Sequence, residues 1–301
     1  MALQPEVWQN QIVENIYKDN EFLLHATNAD EYVEQGKFVH IPQAGAAGNV
    51  QINRAVLPAT ISERTDTEVI YPLDELTSDP KLIRNIDDVQ LSYNKRQSII
   101  ENETANIKEK AAEALLKRWT ENLVSANILR TTGADRTAIL SGVTGTRKAF
   151  RKEDLYSMKV LFDRQGISGV GRKALLWPEQ IDDLLRDKDL AVNFTQYANL
   201  KEGIIGRVAG FDLLTRATAL RFAGGATPTV KDPDAATAAT DCAGALCWHP
   251  SVVERAQGTV KMFERLNDPQ FYGDVYSFLL MFGGRARRFD GKGIGAIVEG
   301  A

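Results

Sequence analysis

The chain has 301 residues, of which 44% are hydrophobic and 25% charged, and its formal net charge is −4 at pH 7. This composition is typical of a globular protein and excludes disordered and collagen-like chains, and the length allows one large domain or two to three smaller ones. A net charge close to zero also excludes a strongly basic protein that would hold nucleic acid by its overall electrostatic field.

The first predicted element is an amphipathic helix over residues 5–26. Large apolar residues recur in it at roughly helical spacing, at Val7, Trp8, Ile12, Ile16 and Leu23. Pro5 suits the first turn, because a proline there loses no internal hydrogen bond. The apolar face has two uses that the sequence leaves open, namely packing on the chain's own core or packing on a neighbouring subunit as an arm.

A projecting hairpin is predicted next, within residues 37–78. Its segments are a strand at 37–41, a loop at 44–49, a strand at 50–53 and an extended segment at 60–71. Between Pro58 and Glu68 the only large apolar residue is Ile61, so this stretch cannot build a core beneath itself. An isolated hairpin is marginally stable in water. We therefore expect it to find its partners on another subunit; the alternative is a solvated surface hairpin with no role.

The strongest predicted helix covers residues 92–124. Its apolar positions follow three- and four-residue spacing, at Ile100, Ile107, Ala111, Leu115, Trp119 and Leu123. Ser92 is placed to cap the first turn, and Glu113 and Lys117 have the spacing of a favourable ion pair. A helix of this length spans about 50 Å, which suits a spine on which other elements pack.

Shorter helices and strands alternate in the remainder of the chain. In order they are a helix at 152–165, a buried strand at 173–177, a helix from Pro178, paired strands within 204–214, a flexible surface loop at 223–241, a short helix after Pro250 and a strand at 275–282. The helix from Pro178 is expected to bury Ile181, Leu184 and Leu185 on one face. This mixture indicates the α+β class.

The sequence contains no phosphate-binding loop and no nucleophile-elbow motif, and we predict no catalytic or cofactor-binding residues. Cys242, Cys247 and His249 form a weak zinc pattern whose spacing matches no standard finger. We favour the alternative of buried cysteines beside Trp248, because cysteine behaves as a small hydrophobic residue. Two cysteines also suit free thiols in a reducing cytoplasm. No long apolar run and no signal-peptide pattern occurs, so we expect no membrane contact.

Charged residues that would contact another subunit are predicted in two places. One is the hairpin, whose mixed charges would align against a charged partner, and the other is an arginine cluster near the end of the chain. The predicted contact residues are Arg54, Glu63, Arg64, Asp66 and Glu68 in the hairpin, and Arg285, Arg287 and Arg288 in the cluster. Phosphate is an alternative partner for the arginines. In an acidic chain we favour ion pairs with carboxylates, whose geometry matches the guanidinium group.

The order of these segments resembles that of a tailed-phage major capsid protein of the Hong Kong 97 type. Three stretches in the second half support the resemblance: Gly171–Pro178 before a helix, the glycine-rich strand pair Gly203–Phe211, and the closing strands from Tyr272 to Ile294. The resemblance covers residues 5–299 and is one of pattern and order, because no single motif is diagnostic of this family.

The resemblance implies an α+β fold with an N-terminal arm, an extended β-hairpin loop, a long spine helix in a peripheral domain and an axial αβ domain. The corresponding divisions of this chain are 1–36 for the arm, 37–78 for the hairpin loop, 79–139 for the peripheral domain with its spine helix, 140–245 for the axial domain and 246–301 for strands that complete both domains. Because the arm begins within the first ten residues, we expect any scaffolding region to be a separate protein.

The resemblance also implies a function, that of a structural subunit and not an enzyme. Such a subunit forms pentamers and hexamers that close into an icosahedral virion shell around double-stranded DNA. Its partners would be copies of itself, weakly contacted DNA, and separate scaffolding, portal and decoration proteins, with assembly in the host cytoplasm and no cofactor. A nanocompartment (encapsulin-like) shell of the same fold that packages protein is the alternative. A soluble enzyme or ligand-binding protein is a third hypothesis, which would need convergent polar groups in a cleft.

Overall fold

In the computed structural model, the described residues are 20–34, 37–45, 47–55, 57–59, 61, 63–84, 95–186 and 204–300. Within them, three α-helices cover Lys95–Trp119, Lys152–Arg164 and Pro178–Leu185. Short 3-10 helices occupy Glu21–His25, Asp30–Tyr32, Ser125–Asn127 and Pro250–Val252. The strands are β1 Thr27–Asn28, β2 Val33–Glu34, β3 Phe38–Gln43, β4 Thr67–Pro72, β5 Asp74–Thr77, β6 Lys81–Arg84, β7 Ile128–Arg130, β8 Asp135–Thr137, β9 Thr146–Lys148, β10 Arg172–Leu176, β11 Ile204–Val208, β12 Phe211–Thr215, β13 Leu220–Ala223, β14 Thr229–Val230, β15 Cys242–Trp248, β16 Val253–Asp268, β17 Gly273–Ala286 and β18 Ile294–Val298.

One sheet is built around a long antiparallel ribbon of β16 and β17, which we call the ribbon. Its strand order is β1-β16-β17-β5, and β6 also pairs with β17. The spine helix, Lys95–Trp119, packs on the ribbon. Leu115 and Leu116 of the helix share a buried cluster with Phe278 and Leu280 of β17. The predicted strand at 275–282 is therefore confirmed as the middle of a longer one.

The second sheet has the strand order β11-β12-β10-β15-β13-β14, and β18 pairs with both β15 and β7. β10 and β15 are buried along their whole length. Because successive side chains of a strand point to opposite faces, each of these strands contributes to two cores. Leu175 and Leu246 join the cluster that contains the spine helix, whereas Ala174 and Cys247 join the cluster beneath the two shorter helices.

The spine helix confirms the predicted apolar stripe but is shorter than expected. Its buried positions include Ile100, Ile107, Ala111, Leu115 and Trp119. Its 25 residues span about 37 Å at 1.5 Å per residue. The predicted end at residue 124 is wrong. The helix ends at Trp119, and beyond it the Thr120 and Leu123 amides donate to carbonyls three residues back, both at 3.0 Å, as in turns. The predicted start, with Ser92 as its cap, lies outside the described residues.

The predicted ion pair between Glu113 and Lys117 is wrong in its partners. Glu113 lies 3.6 Å from Lys110, and Lys117 contacts Asp232 in the segment between β14 and β15. Lys110 contacts Asp234 of the same segment. The helix therefore uses its lysines to hold a remote part of the chain, which local spacing did not reveal.

The segment 223–241, expected to be a flexible surface loop, is tied down at several points. It contains β14, which pairs with β13. The Arg221 guanidinium donates to the carbonyls of Asp232 and Ala235, both at 2.8 Å. A guanidinium group has five N–H donors, so a single arginine collects several backbone acceptors and fixes this turn.

The predicted N-terminal helix falls largely outside the described residues, and its end differs from the expectation. Residues 21–25 form a 3-10 helix, in which Phe22 and Leu23 are buried. The Phe22 ring meets Trp119 edge-on with centroids 5.8 Å apart. At this end, therefore, the apolar face packs on the chain's own core.

The two shorter helices are present where they were predicted. Leu155, Met158 and Phe162 of the first are buried, as are Ile181 and Leu184 of the second. Leu185 was predicted to face inward but is exposed. Successive residues of a helix are rotated by roughly 100°, so Leu185 lies off the face that buries Leu184. The short helix predicted after Pro250 is present as a 3-10 helix.

The hairpin has a different strand pairing from the one predicted. Residues 50–53 form no strand, and a turn lies at Ile52–Asn53. The partner of β3 is β4, in register from Phe38↔Pro72 to Gln43↔Thr67. The reason is burial, because β4 offers alternate inward residues that match those of β3, whereas Val50 and Ile52 are each 90% exposed.

Replacing Trp119 with alanine should lower the free energy of unfolding by about 3–5 kcal/mol, the usual cost of removing a large buried aromatic side chain. Urea unfolding of the purified subunit measures this. The exposed helical residue Val160 offers a control, since Val160→Ala should change stability by less than about 0.5 kcal/mol. Similar small effects for both variants would show that Trp119 is not central to the core.

Candidate functional site: the hairpin and its root

The hairpin root, which we define as β3 and β4, has a small core of its own. Alternate residues of the two strands point inward and are buried, together with one residue of β16. The cluster consists of Ala29, Val39, Ile41, Val69, Tyr71, Leu73 and Ala256. The root is therefore packed on the ribbon.

A buried carboxylate lies where the root meets the ribbon. Glu254 of β16 is buried, and its Oε1 accepts a hydrogen bond from the Tyr71 hydroxyl at 3.0 Å. Its Oε2 lies 3.1 Å from Nε of Arg287, and its backbone carbonyl accepts a hydrogen bond from the Trp119 indole at 2.9 Å. One residue thus contacts the hairpin, the spine helix and the end of β17.

Burial dominates the electrostatics of this junction. Desolvation raises the pKa of Glu254, although the Tyr71 hydrogen bond and the Arg287 charge oppose the shift. Burial, followed by the nearby Glu254 carboxylate, also raises the pKa of Tyr71, so the phenol stays protonated and acts as a donor. The sequence analysis missed Glu254, because a glutamate beside an arginine in a strand is typical of a solvated edge.

The hairpin tip, which we define as the described residues between Ala44 and Asp66, has the opposite character. Val50, Ile52 and Leu57 are 90%, 90% and 78% exposed, and Ile61 is 98% exposed. Four large apolar side chains of one segment are thus left uncovered in the subunit. This agrees with the prediction that the stretch after Pro58 builds no core beneath itself.

Four of the five predicted charged residues of the hairpin make contacts within the hairpin itself. Arg64 and Asp66 form an ion pair at 2.6 Å, and Asp66 also accepts a hydrogen bond from the Gly45 amide at 2.9 Å. These two contacts lower the pKa of Asp66. Glu68 lies 3.2 Å from the ring of His40.

Two hairpin residues remain from the predicted set. Arg54 donates to the carbonyl of Asn49 at 3.3 Å, and Glu63 is exposed. The internal contacts hold the tip in shape, so contact with another subunit stays a prediction for all five residues. Glu63 is the most direct test of it, since its removal disturbs no contact described above.

One member of the arginine cluster, Arg287, lies at the hairpin root. The Arg287 carbonyl accepts a hydrogen bond from Gln43 of β3 at 2.6 Å, in addition to the contact of its side chain with Glu254. Arg288 pairs with Asp290 at 2.6 Å, and the Arg285 guanidinium lies 5.5 Å from the centre of the Phe289 ring. Their predicted role in contacts between subunits stays a prediction.

The weak zinc pattern is not assembled into a site. Cys242 and Cys247 are five residues apart on β15 and belong to different buried clusters, on opposite faces of the sheet. Burial raises the pKa of the Cys247 thiol, which disfavours a metal-binding thiolate. His249 contacts Ser251 and the carbonyl of Val170. Across the described ranges, no group of three or more metal-binding side chains is found.

Comparison with known proteins gives agreement in structure without agreement in sequence. No protein-family model and no curated protein matches the chain. The capsid of Ralstonia phage GP4 matches with a TM-score of 0.67 and 11% identity, over 92% of this chain and 87% of that one. The capsid of cyanophage P-SCSP1u matches with a TM-score of 0.61 and 16% identity, over 91% and 85%.

The chain has the Hong Kong 97-type capsid fold. A virus-like particle from Pyrococcus furiosus matches as well, with a TM-score of 0.53 and 12% identity over 97% of both chains. The predicted α+β class and capsid fold are thus confirmed, while the five divisions of the chain stay predictions. Among the described residues of this capsid fold, the helices are too short or too polar to cross a bilayer.

Asp66→Ala should loosen the hairpin tip, because it removes both the ion pair with Arg64 and the acceptor of the Gly45 amide. We expect the Gly45 amide to exchange its hydrogen several-fold faster, with the melting temperature of the subunit unchanged. Amide hydrogen exchange read by NMR measures this. Glu63→Ala removes a neighbouring carboxylate and should leave the Gly45 amide unaffected; equal acceleration in both variants would contradict the role given to Asp66.

Proposed function

We propose that this chain is a structural subunit that assembles with copies of itself into a closed shell. The observation that carries the proposal is the fold, which agrees with the GP4 phage capsid over 92% of the chain. The hairpin supports it independently, because an anchored root presents a tip of exposed apolar side chains. Such a tip suits binding to a second subunit.

The arrangement explains how assembly would gain affinity. The root fixes the direction of the hairpin before contact is made, so less conformational entropy is lost on binding. A head-to-tail contact between identical subunits closes into a ring when the rotation between them fits. Many such contacts repeated over a shell then give a particle more stable than any one interface.

In the finer form of the proposal, the rings are pentamers and hexamers, and the shell is an icosahedral virion capsid around double-stranded DNA. A net charge of −4 is consistent with DNA that is enclosed and only weakly contacted. Separate scaffolding, portal and decoration proteins would complete the particle, which would assemble in the host cytoplasm. The subunit's role is mechanical and requires no turnover.

A second candidate is a cellular nanocompartment that encloses protein in place of DNA. The likeness to the virus-like particle from Pyrococcus furiosus, over 97% of both chains, supports this second candidate. The two functions differ in what the particle contains. The ratio of absorbance at 260 nm to that at 280 nm of nuclease-treated, purified particles therefore distinguishes enclosed nucleic acid from enclosed protein.

The proposal is tested by negative-stain electron microscopy and light scattering on the same purified sample. Closed shells, or rings of five or six subunits, are the expected result. A chain that stays monomeric or dimeric over a wide range of salt and protein concentration, alone and when expressed beside its genomic neighbours, would overturn it.

The double substitution Ile52→Ser and Ile61→Ser should weaken assembly. The protein concentration at which shells form should rise at least tenfold. Both side chains are almost fully exposed in the subunit, so its own melting temperature should not change. Light scattering against concentration measures the threshold. Val170→Ser makes the same kind of change at an exposed residue outside the hairpin; an equal effect there would show a general loss of hydrophobic association.

Glu63→Arg should slow assembly. Charges that attract each other across an interface speed association, and reversing one of them replaces attraction by repulsion. Stopped-flow light scattering gives the rate, and the effect should shrink as salt is added. The reversal of another exposed acid, Glu31→Arg, serves as the matched control. Unchanged assembly kinetics in Glu63→Arg would remove this residue from the predicted contact set.

A further inference from the structure

The turn between β14 and β15 carries two carboxylates that reach across to the spine helix. Asp232 contacts Lys117, and Asp234 contacts Lys110. The two lysines are separated along the helix axis by roughly 10 Å, which is two helical turns. Pro233 lies between the two aspartates in the chain. Residues 232–234, which we call the latch, therefore cross the flank of the helix and hold it at two points.

A pocket lies behind the latch, between the spine helix and the second sheet. It has a volume of about 270 Å³, and its lining includes Leu116 of the helix, Leu220 of β13 and Trp177 after β10. Pro233 and Thr237 contribute to the lining from the turn. A second pocket, of about 300 Å³, shares Pro233 with the first. The latch thus separates the two pockets and would join them if it moved away from the helix.

The turn is held in shape by contacts that do not involve the helix. The Arg221 guanidinium donates to the carbonyl of Asp232 at 2.8 Å and also to the carbonyl of Pro233. The base of the turn is closed by Lys231 and Asp241, whose side chains lie 2.6 Å apart. Because these contacts tie the turn to itself and to β13, the latch carboxylates are held at a fixed spacing and move as one body.

The base of the turn and the latch differ in their exposure to solvent. At the base, the side chain of Asp241 is 2% exposed. At the latch, the side chains of Asp232 and Asp234 are 63% and 78% exposed. Salt screens exposed charges strongly and buried pairs much less, and an exposed ion pair contributes little to stability. Raising the salt concentration should therefore weaken the latch and leave the base closed.

We propose that the latch is a salt-sensitive fastening, which holds the turn against the spine helix at low ionic strength and releases it at high ionic strength. Arg221 is its positioning residue, because it keeps the two aspartates together so that both ion pairs form and break as a unit. Release joins the two pockets and uncovers the apolar side chains behind the latch. The rest of the subunit stays folded, because the two ion pairs lie outside its buried apolar cluster.

Electron spin resonance on the unassembled full-length subunit tests this by measuring the distance between two nitroxide labels. One label is attached at Asn106→Cys, four residues before Lys110 and so on the same face of the helix, and the other at Ala236→Cys in the turn. Both positions are exposed. The native Cys242 and Cys247 are buried, so the labels react at the introduced cysteines.

A single short distance between the labels is expected at low salt, and a second, longer distance should appear as salt is added. Each exposed ion pair can change an equilibrium by up to about fivefold. The ratio of the short to the long distance should therefore fall by about tenfold between about 0.05 M and 1 M salt, over which range the screening length shortens several-fold.

Three variants test the parts of the latch separately. Asp232→Asn combined with Asp234→Asn removes both charges with little change in shape, so the long distance should already be present at low salt. Arg221→Lys keeps the positive charge but replaces the guanidinium fork by a single nitrogen, so the distances should be broadly spread at low salt. Asp182→Asn removes an exposed aspartate that pairs with Arg186 elsewhere, and its distances should match those of the unmodified chain.

The proposal is overturned if the distance in the unmodified chain does not respond to salt, or if the double asparagine variant keeps the short distance alone. It is also overturned if Asp182→Asn acts like the double variant, since the effect would then be one of overall charge. An unchanged distance in Arg221→Lys would reject the positioning role of Arg221. The measurement needs no assembly, so its failure leaves the proposed shell function in place.

Discussion

The apolar stripe of the spine helix joins the two sheets, and Trp119 is the residue at which they meet. Its ring lies 5.7 Å from that of Trp248 in the second sheet, and its indole N–H donates to the Glu254 carbonyl in the ribbon. A fully buried indole needs a partner for its N–H group, and here that partner is the backbone next to the hairpin root. The packing of the core and the placement of the hairpin are therefore parts of one arrangement.

The hairpin consists of a packed root and a solvent-exposed tip. Its root is packed on the ribbon through Val39, Ile41, Val69 and Tyr71, whereas the apolar residues of its tip face solvent. An anchored root and an exposed apolar tip are what the proposed shell function would require of this hairpin. The charged side chains between them stabilise the shape of the tip, as the contact of Asp66 with Gly45 shows.

A feature of this site could be predicted from the sequence when it depends on residues that are close together in the chain. The projecting tip was predicted, because a stretch with a single large apolar residue cannot form a core. The strand at 50–53 was predicted wrongly, because Val50 and Ile52 alternate with polar residues as in a half-buried strand, but nothing packs over them. Glu254 was missed because its burial depends on Tyr71 and Arg287, which are far from it in sequence or separated by the turn of the ribbon.

The sequence by itself determined the elements whose pattern is local: the apolar stripe of Lys95–Trp119, the apolar run of residues 174–176 in β10 and the order of segments that resembles a capsid subunit. Only the tertiary structure decided the partners, namely β4 for β3, Asp232 for Lys117, and opposite sheet faces for the two cysteines. The reason is physical. Helical and strand periodicity records which side of an element is buried, whereas a partner distant in sequence is chosen by competition among all surfaces of the folded chain.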